Sequence, residues 1–268
     1  MNIDVPVSSY DLFKKTIVEE SARSILKRLS FKPGDTMLDV GCGPGTLTQM
    51  ITNRANVGAT TAFDVNEHMI KYARKNASND KIKYSVGDAN DLATFKCEWK
   101  NSFDKVVAYH VLHWIENWAT VTLPAIYQCL KPGGECYVNI HPNKHPVFLL
   151  IIEDFVKSSK WGILFSEYKF PVHFLKGGER ELVNILTKIG FKHIKCETEY
   201  LDEIVDINEI ETAKDGYRNF VPHIKHLPQE MQDEFFEDAF QYAYDKAIKM
   251  DNGSFKWVTT NIVAVAKK

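Results

Sequence analysis

From Thr36 to His141 the chain keeps returning to one unit, a short apolar stretch that closes on a turn. TMLDVG leads into the amphipathic TLTQMITNR and ATTAFDV into EHMIKYARKNA, while IKYSVGD, FDKVVAYHV and GGECYVNIH complete five strand-like segments, the last reached through WATVTLPAIYQCL. Such a rhythm leaves few folds open. Parallel strands need a crossover, crossovers are right-handed, and helices then cover both sheet faces. The expected class is α/β, with a mostly parallel sheet.

Before this region, DLFKKTIVEESARSILKRLS places apolar residues at Leu12, Ile17, Val18, Ala22, Ile25, Leu26 and Leu29, the spacing of a helix, and FKPGD stops it. After His141 the regular pattern ends. ERELVNILTKIGF reads as a helix stopped by Gly190, and KHIKCETEYL and FKWVTTNIVAVAKK as two further strands. Residues near 142–178 and 202–250 are rich in aromatic and helical sequence without the strand rhythm, so they are expected to be insertions that form a helical cap. With no repeat or linker, residues 1–268 read as one domain.

A formal charge of −2 with no Lys/Arg block gives no electrostatic case for nucleic acid. No apolar run approaches the roughly 20 residues of a membrane span. MNIDVPVSSYDLFKK has no signal-peptide apolar core, so a cytoplasmic location is expected. The five cysteines are scattered and never spaced as CxxC, which suits reduced thiols. His141 and His145 in HPNKHP are split by prolines and have no acidic partner nearby, so they read as a loop and no metal is expected.

DVGCGPG, Asp39 to Gly45, lies where a strand hands over to a helix. Gly41, Gly43 and Gly45 allow positive φ and close approach of backbone N–H groups to a ligand. Asp64 ends the second strand, where a carboxylate can accept ribose hydroxyls, and Asp88 ends the third, where it can meet an adenine amino group. Three strand ends aimed at one crevice describe an adenosine site. A dinucleotide would place a pyrophosphate on the helix N-terminus. Asp39 beside the loop suits an ammonium better, and S-adenosylmethionine offers one.

In order and spacing, DVGCGPG, AFDVNEHM, VGDAND, FDKVVAYHVLHW and LKPGG resemble the motifs of class I S-adenosylmethionine-dependent methyltransferases. The resemblance covers about residues 30–140. It implies a Rossmann-like sheet with an antiparallel edge strand, and S-adenosyl-L-methionine as cofactor. The implied cofactor-binding residues are Asp39, Gly41, Gly43, Gly45, Asp64 with Val65 and Met69, Asp88, Ala89, His110 just past the fourth strand, and Tyr10 as a cover.

LHWI, Leu112 to Ile115, is narrower than the fold. It is similar to the corresponding segment of insect juvenile hormone acid methyltransferases and to the SLHWL element of plant carboxyl methyltransferases, whose tryptophan N–H holds the substrate carboxylate. The resemblance makes Trp114 and His113 the catalytic candidates and implies O-methylation of an apolar acid such as farnesoic acid or juvenile hormone acid, within juvenile hormone biosynthesis. Both resembled groups carry an N-terminal glutamine that this chain lacks, and Lys14 falls near that position. Trp161 and Phe165 in the first insertion join Trp114 and Lys14 as expected substrate contacts. Trp118 is retained with them, although a tryptophan in that setting more often packs in the core.

Other readings stay open from sequence: methylation of a small dicarboxylate, as in trans-aconitate methyltransferases, or of a phenol or amine; an NAD-dependent dehydrogenase; and a non-catalytic cofactor-binding subunit. The expected partner is a small-molecule carboxylic acid, with a homodimer left open.

Overall fold

The computed structural model describes residues 15–143, 148–158, 160–218 and 221–268, so Tyr10 and Lys14 lie outside the described residues. The strands are β1 (Thr36–Val40), β2 (Ala59–Asp64), β3 (Ile82–Val86), β4 (Phe103–Ala108), β5 (Leu130–Ile140), β6 (Lys192–Val205), β7 (Ile248–Lys249) and β8 (Phe255–Lys267). The helices are α1 (Lys15–Arg28), α2 (Thr46–Arg54), α3 (Glu67–Asn76), α4 (Leu123–Cys129), α5 (Phe148–Ser158), α6 (Gly178–Ile189), α7 (Ile210–Arg218) and α8 (Gln229–Lys246).

One sheet runs β3-β2-β1-β4-β5-β8-β6, with β7 paired to β8. The first five strands are parallel neighbours. β8 then inserts antiparallel between β5 and β6, which makes β6 the outermost strand. This is the mostly parallel sheet with an antiparallel closing pair that the sequence led us to expect. Central strands are apolar on both faces because helices cover both: Val106, Val107 and Ala108 of β4 are wholly buried. One layer packs Leu38, Val106, Val138 and Ala264 against α4 and α6, and the other packs Met37, Val107, Tyr137 and Val263 against Ile25 of α1.

A separate apolar cluster lies in the two insertions. Phe148, Ile152 and Phe155 of α5, Trp161, Phe165, Tyr217 of α7, and Phe235 and Phe240 of α8 pack on Val205, Phe255 and Trp257 at the ends of β6 and β8. The described parts of the insertions thus have their own core, rooted on the outer strand pair. The second insertion starts later than the sequence suggests, since β6 continues to Val205 rather than stopping near Leu201. Its last residues alternate with the usual strand period, but Glu203 faces in while Ile204 faces out and is 53% exposed. That inversion hides the strand from a hydrophobic pattern.

The connecting segment WATVTLPAIYQCL, whose composition predicts a helix, starts as a π-helical turn, Trp118–Thr122, in which the Val121 and Thr122 N–H groups both approach the Asn117 carbonyl. Regular α-helix begins only at Leu123. No described helix is long and apolar enough to cross a membrane.

A candidate active site at the strand ends

The carboxyl ends of β1, β2, β3, β4 and β5 open on one cavity of about 1070 Å³, the position at which open α/β sheets bind ligands. Asp39, Gly41, Gly43, Asp64, Val65, Met69, Asp88, Ala89, His110, His113 and Trp114 all line it. The structure therefore brings together most of the site expected from sequence.

At the first turn, Gly41 has φ +74° and a Cβ there would collide with the Val111 side chain, so the β4 turn closes directly on this glycine. Gly43, at φ +54°, faces open space instead, which leaves backbone accessible to a ligand. Its N–H donates to Asp64 Oδ2 at 2.9 Å, and the Asn66 N–H donates to Oδ1 at 2.9 Å. Each Asp64 oxygen keeps a further lone pair, enough for two ribose hydroxyls. Asp88 is exposed and accepts the Asn90 N–H at 2.8 Å, an Asx turn that leaves its carboxylate at the cavity rim. These features fit an adenosine-bearing cofactor.

Gly45 is not among the cavity-lining residues; at φ +81° it caps the start of α2, and its carbonyl accepts the Tyr84 hydroxyl at 3.2 Å.

Asp39 is buried and accepts the Thr48 hydroxyl at 2.6 Å. Burial raises its pKa to about 6, the Thr48 bond opposing and the Asp64 charge adding to the rise. The folded state holds this proton more tightly than the unfolded chain does. The group therefore contributes stability below its unfolded pKa that is lost as pH rises from about 4 through about 6. Unfolding of the ligand-free protein at several pH values should show this decline, and Asp39→Asn should flatten it. Nearby, burial and then the Asp39 and Asp64 charges push the Cys42 thiol well up, so it stays protonated. All five cysteines are free.

Beyond β4, His110 adopts a left-handed backbone at φ +52° and stacks on Tyr109 with ring centroids 4.2 Å apart. A non-glycine residue there costs of order 1–3 kcal/mol and needs an external hold. Asn139 of β5, wholly buried, supplies it: its Oδ1 accepts the His110 N–H at 2.7 Å, while its Nδ2 donates to Asn261 Oδ1 at 3.0 Å. Sequence reasoning missed both asparagines, which look like unremarkable polar positions of two strands. Asn139→Ala should lower unfolding free energy by about 1–3 kcal/mol, the cost of a buried donor left unsatisfied. Denaturant titration checks this.

The next turn, Leu112–Trp114, is a 3₁₀ helix. Its His113 is buried, its carbonyl accepting the His173 N–H at 2.7 Å, which stitches the first insertion to the site. The rings of His113 and His141 lie 4.1 Å apart, and His141 also approaches His110 at 5.3 Å. His141 was expected in a loop; it is buried on the cavity wall, with Nδ1 3.1 Å from the Thr260 carbonyl. Among the described residues no three His, Cys, Asp or Glu side chains are grouped to hold a metal. Trp114 is half-buried on the wall, and its indole N–H donates to no described residue.

Three expected substrate contacts lie elsewhere. Trp118 is buried in the core beneath the sheet, among Leu112, Ile115 and Leu123. Trp161 is buried in the insertion core, where its Nε1 donates to Asp238 Oδ2 at 2.9 Å and its ring meets Phe235 edge-on. Phe165 packs on Phe235 and His223 in that same core. From the insertions the cavity receives Phe148, Leu149, Pro171, Tyr217, Val221 and Ile224.

This is the architecture of the class I methyltransferases. Residues 38–138 match the family model described as a methyltransferase domain. The match spans less than half of the chain; within it, residues 38–138 are those of a methyltransferase domain, for which S-adenosylmethionine is the cofactor. The juvenile hormone acid O-methyltransferase of Bombyx mori is 25% identical over 244 residues, spanning 88% of this chain and 84% of that protein. A trans-aconitate 2-methyltransferase of Mycolicibacterium gilvum is 26% identical over 180 residues, 67% of each chain. Among solved structures, phosphoethanolamine N-methyltransferase 2 of Haemonchus contortus, in complex with phosphomonomethylethanolamine and S-adenosylhomocysteine, superposes with a TM-score of 0.61 at 19% identity. That superposition covers 97% of this chain and 57% of the other.

Proposed function

We propose that this protein esterifies the carboxylate of an apolar small-molecule acid, of the farnesoic or juvenile hormone acid kind. The observation that carries the reading is Trp114: a donor-only N–H at the cavity wall, one turn beyond β4, with no described partner to occupy it. The similarity to the juvenile hormone acid enzyme points the same way.

S-adenosylmethionine supplies an electrophilic methyl group on a sulfonium. A carboxylate oxygen attacks that carbon in line; the C–O bond forms as the C–S bond breaks, the electron pair goes to sulfur, and a neutral ester leaves. No proton moves, so the site needs no general base. What the chain must do is hold the oxygen in line, and placement of this kind can supply roughly 7–11 kcal/mol of barrier reduction. Trp114 fixes one carboxylate oxygen, His113 packs beside it, and Phe148, Leu149, Val221 and Ile224 take the hydrocarbon body. Asp39 faces the cofactor's ammonium in this reading. Because ammonium favours the ionised carboxylate, affinity for S-adenosylhomocysteine should rise from pH 5 to pH 7 and lose that dependence in Asp39→Asn.

One observation favours a second reading. Arg218 and Lys225 also line the cavity, as a pocket for a small dicarboxylate would require, although Arg218 is already paired with Asp233 at 2.5 Å. Turnover of labelled cofactor with long-chain acids, a trans-aconitate-type acid, phenols and amines separates the alternatives. The apolar acids should give the highest kcat/KM; preference for the polycarboxylate would select the second reading.

A further inference from the structure

One acidic side chain on the cavity wall has no part in the chemistry above. Glu203, near the end of β6, is 8% exposed and lines the cavity with Tyr217 and Thr259. Its Oε1 accepts the Thr259 hydroxyl at 2.6 Å and its Oε2 accepts the Tyr217 hydroxyl at 3.1 Å. Among the described residues these two neutral hydroxyls are its only hydrogen-bond or ion-pair partners. Glu135, also buried, is treated differently, held by Lys105 at 2.8 Å and Lys267 at 3.2 Å; Asp39, which like Glu203 meets a hydroxyl and no cation, faces the cofactor's ammonium in the reading above.

A carboxylate offers about four lone-pair positions, and two hydroxyls fill two of them. Burying such a group without a cation is costly unless something else completes it. Here the cavity is the open side. Position matters as well. In the antiparallel register Thr198 of β6 faces Ile262 of β8, which faces Ile140 at the end of β5. Glu203 thus stands five residues past the level at which β5 stops, on the part of the β6–β8 ribbon that carries the insertion core. It belongs to the wall contributed by the ribbon and α7, whereas Trp114 belongs to the row of strand-end turns.

We propose that Glu203, with Tyr217 and Thr259, is a specificity subsite that accepts a hydrogen-bond donor at the end of the acceptor molecule remote from its reacting carboxylate. The preferred acid then has an apolar body and a hydroxyl or ammonium terminus. This rests on the carboxylate reading of the site, and departs from its farnesoic and juvenile hormone acid examples at the far end, which carries a donor in place of a methyl group or an epoxide.

The test is a matched set of long-chain acids ending in methyl, hydroxyl or ammonium, with kcat/KM measured for each. For the wild type, a donor-ended member should exceed its methyl-ended counterpart at least tenfold. Glu203→Gln should erase an ammonium preference by removing the charge, and Glu203→Leu should erase a hydroxyl preference by removing the acceptor; the affected arm identifies the terminus. A wild-type preference for the methyl-ended acids, or an end-group ratio unchanged in both variants, overturns the subsite. Calorimetric Kd values for the same acids on the complex with S-adenosylhomocysteine give the same ratios without turnover. If no acid is esterified, the carboxylate reading fails, while these binding ratios still decide Glu203.

Discussion

Trp114→Phe should lower kcat/KM for the carboxylic acid by about 1.5–3 kcal/mol of transition-state stabilisation, roughly 10- to 150-fold, and leave cofactor affinity nearly unchanged. Phenylalanine keeps an aromatic ring on the cavity wall and deletes only the N–H, so the loss isolates one hydrogen bond to a charged oxygen. His113→Ala should do less. That imidazole is buried beside His141, and in the proposed reading methyl transfer to an oxygen that is already anionic leaves it no proton to take. Steady-state kinetics on both variants check the pair. Full kcat/KM in Trp114→Phe with abolished turnover in His113→Ala would instead indicate a histidine base acting on a phenol or amine.

Asp64→Ala should weaken S-adenosylhomocysteine binding by about 1.5–3 kcal/mol through the ribose contacts alone. The effect extends to the loop, because the same carboxylate accepts the Gly43 and Asn66 N–H groups at 2.9 Å and so ties the glycine turn to the start of α3. Burial raises the Asp64 pKa, against the pull of those two bonds. Asp64→Asn should retain part of the affinity, since its amide oxygen still accepts one of them. Isothermal calorimetry reads both variants, and unchanged affinity in Asp64→Ala would remove the ribose assignment.

The glycine turn, Asp64, Asp88 and the strand rhythm were legible in the sequence because each depends on local spacing. A βα turn needs glycine where Val111 presses against Gly41, and a parallel strand buried on both faces is an unbroken apolar run. Residues placed by long-range packing were not legible. His141 reads as part of a proline-broken loop, yet the β5–β8 pairing buries it against Thr260 and His113. Glu199 and Glu203 look alike as acids in one strand. Glu199 meets Arg28 at 3.0 Å and Ser24 at 2.8 Å, and only Glu203 reaches the cavity. Composition marked the first insertion as aromatic but not which rings face inward. Trp161 turns its N–H to Asp238, far along the chain on α8, and Phe148 takes the cavity wall.

If the acceptor atom is a carboxylate oxygen, the chemical stability of the methylated product reveals it. Product formed from labelled S-adenosylmethionine and an apolar acid should release its label as methanol in mild alkali, quantitatively, because a methyl ester is hydrolysed there. Label that survives the same treatment would belong to an ether or an amine and would contradict the account.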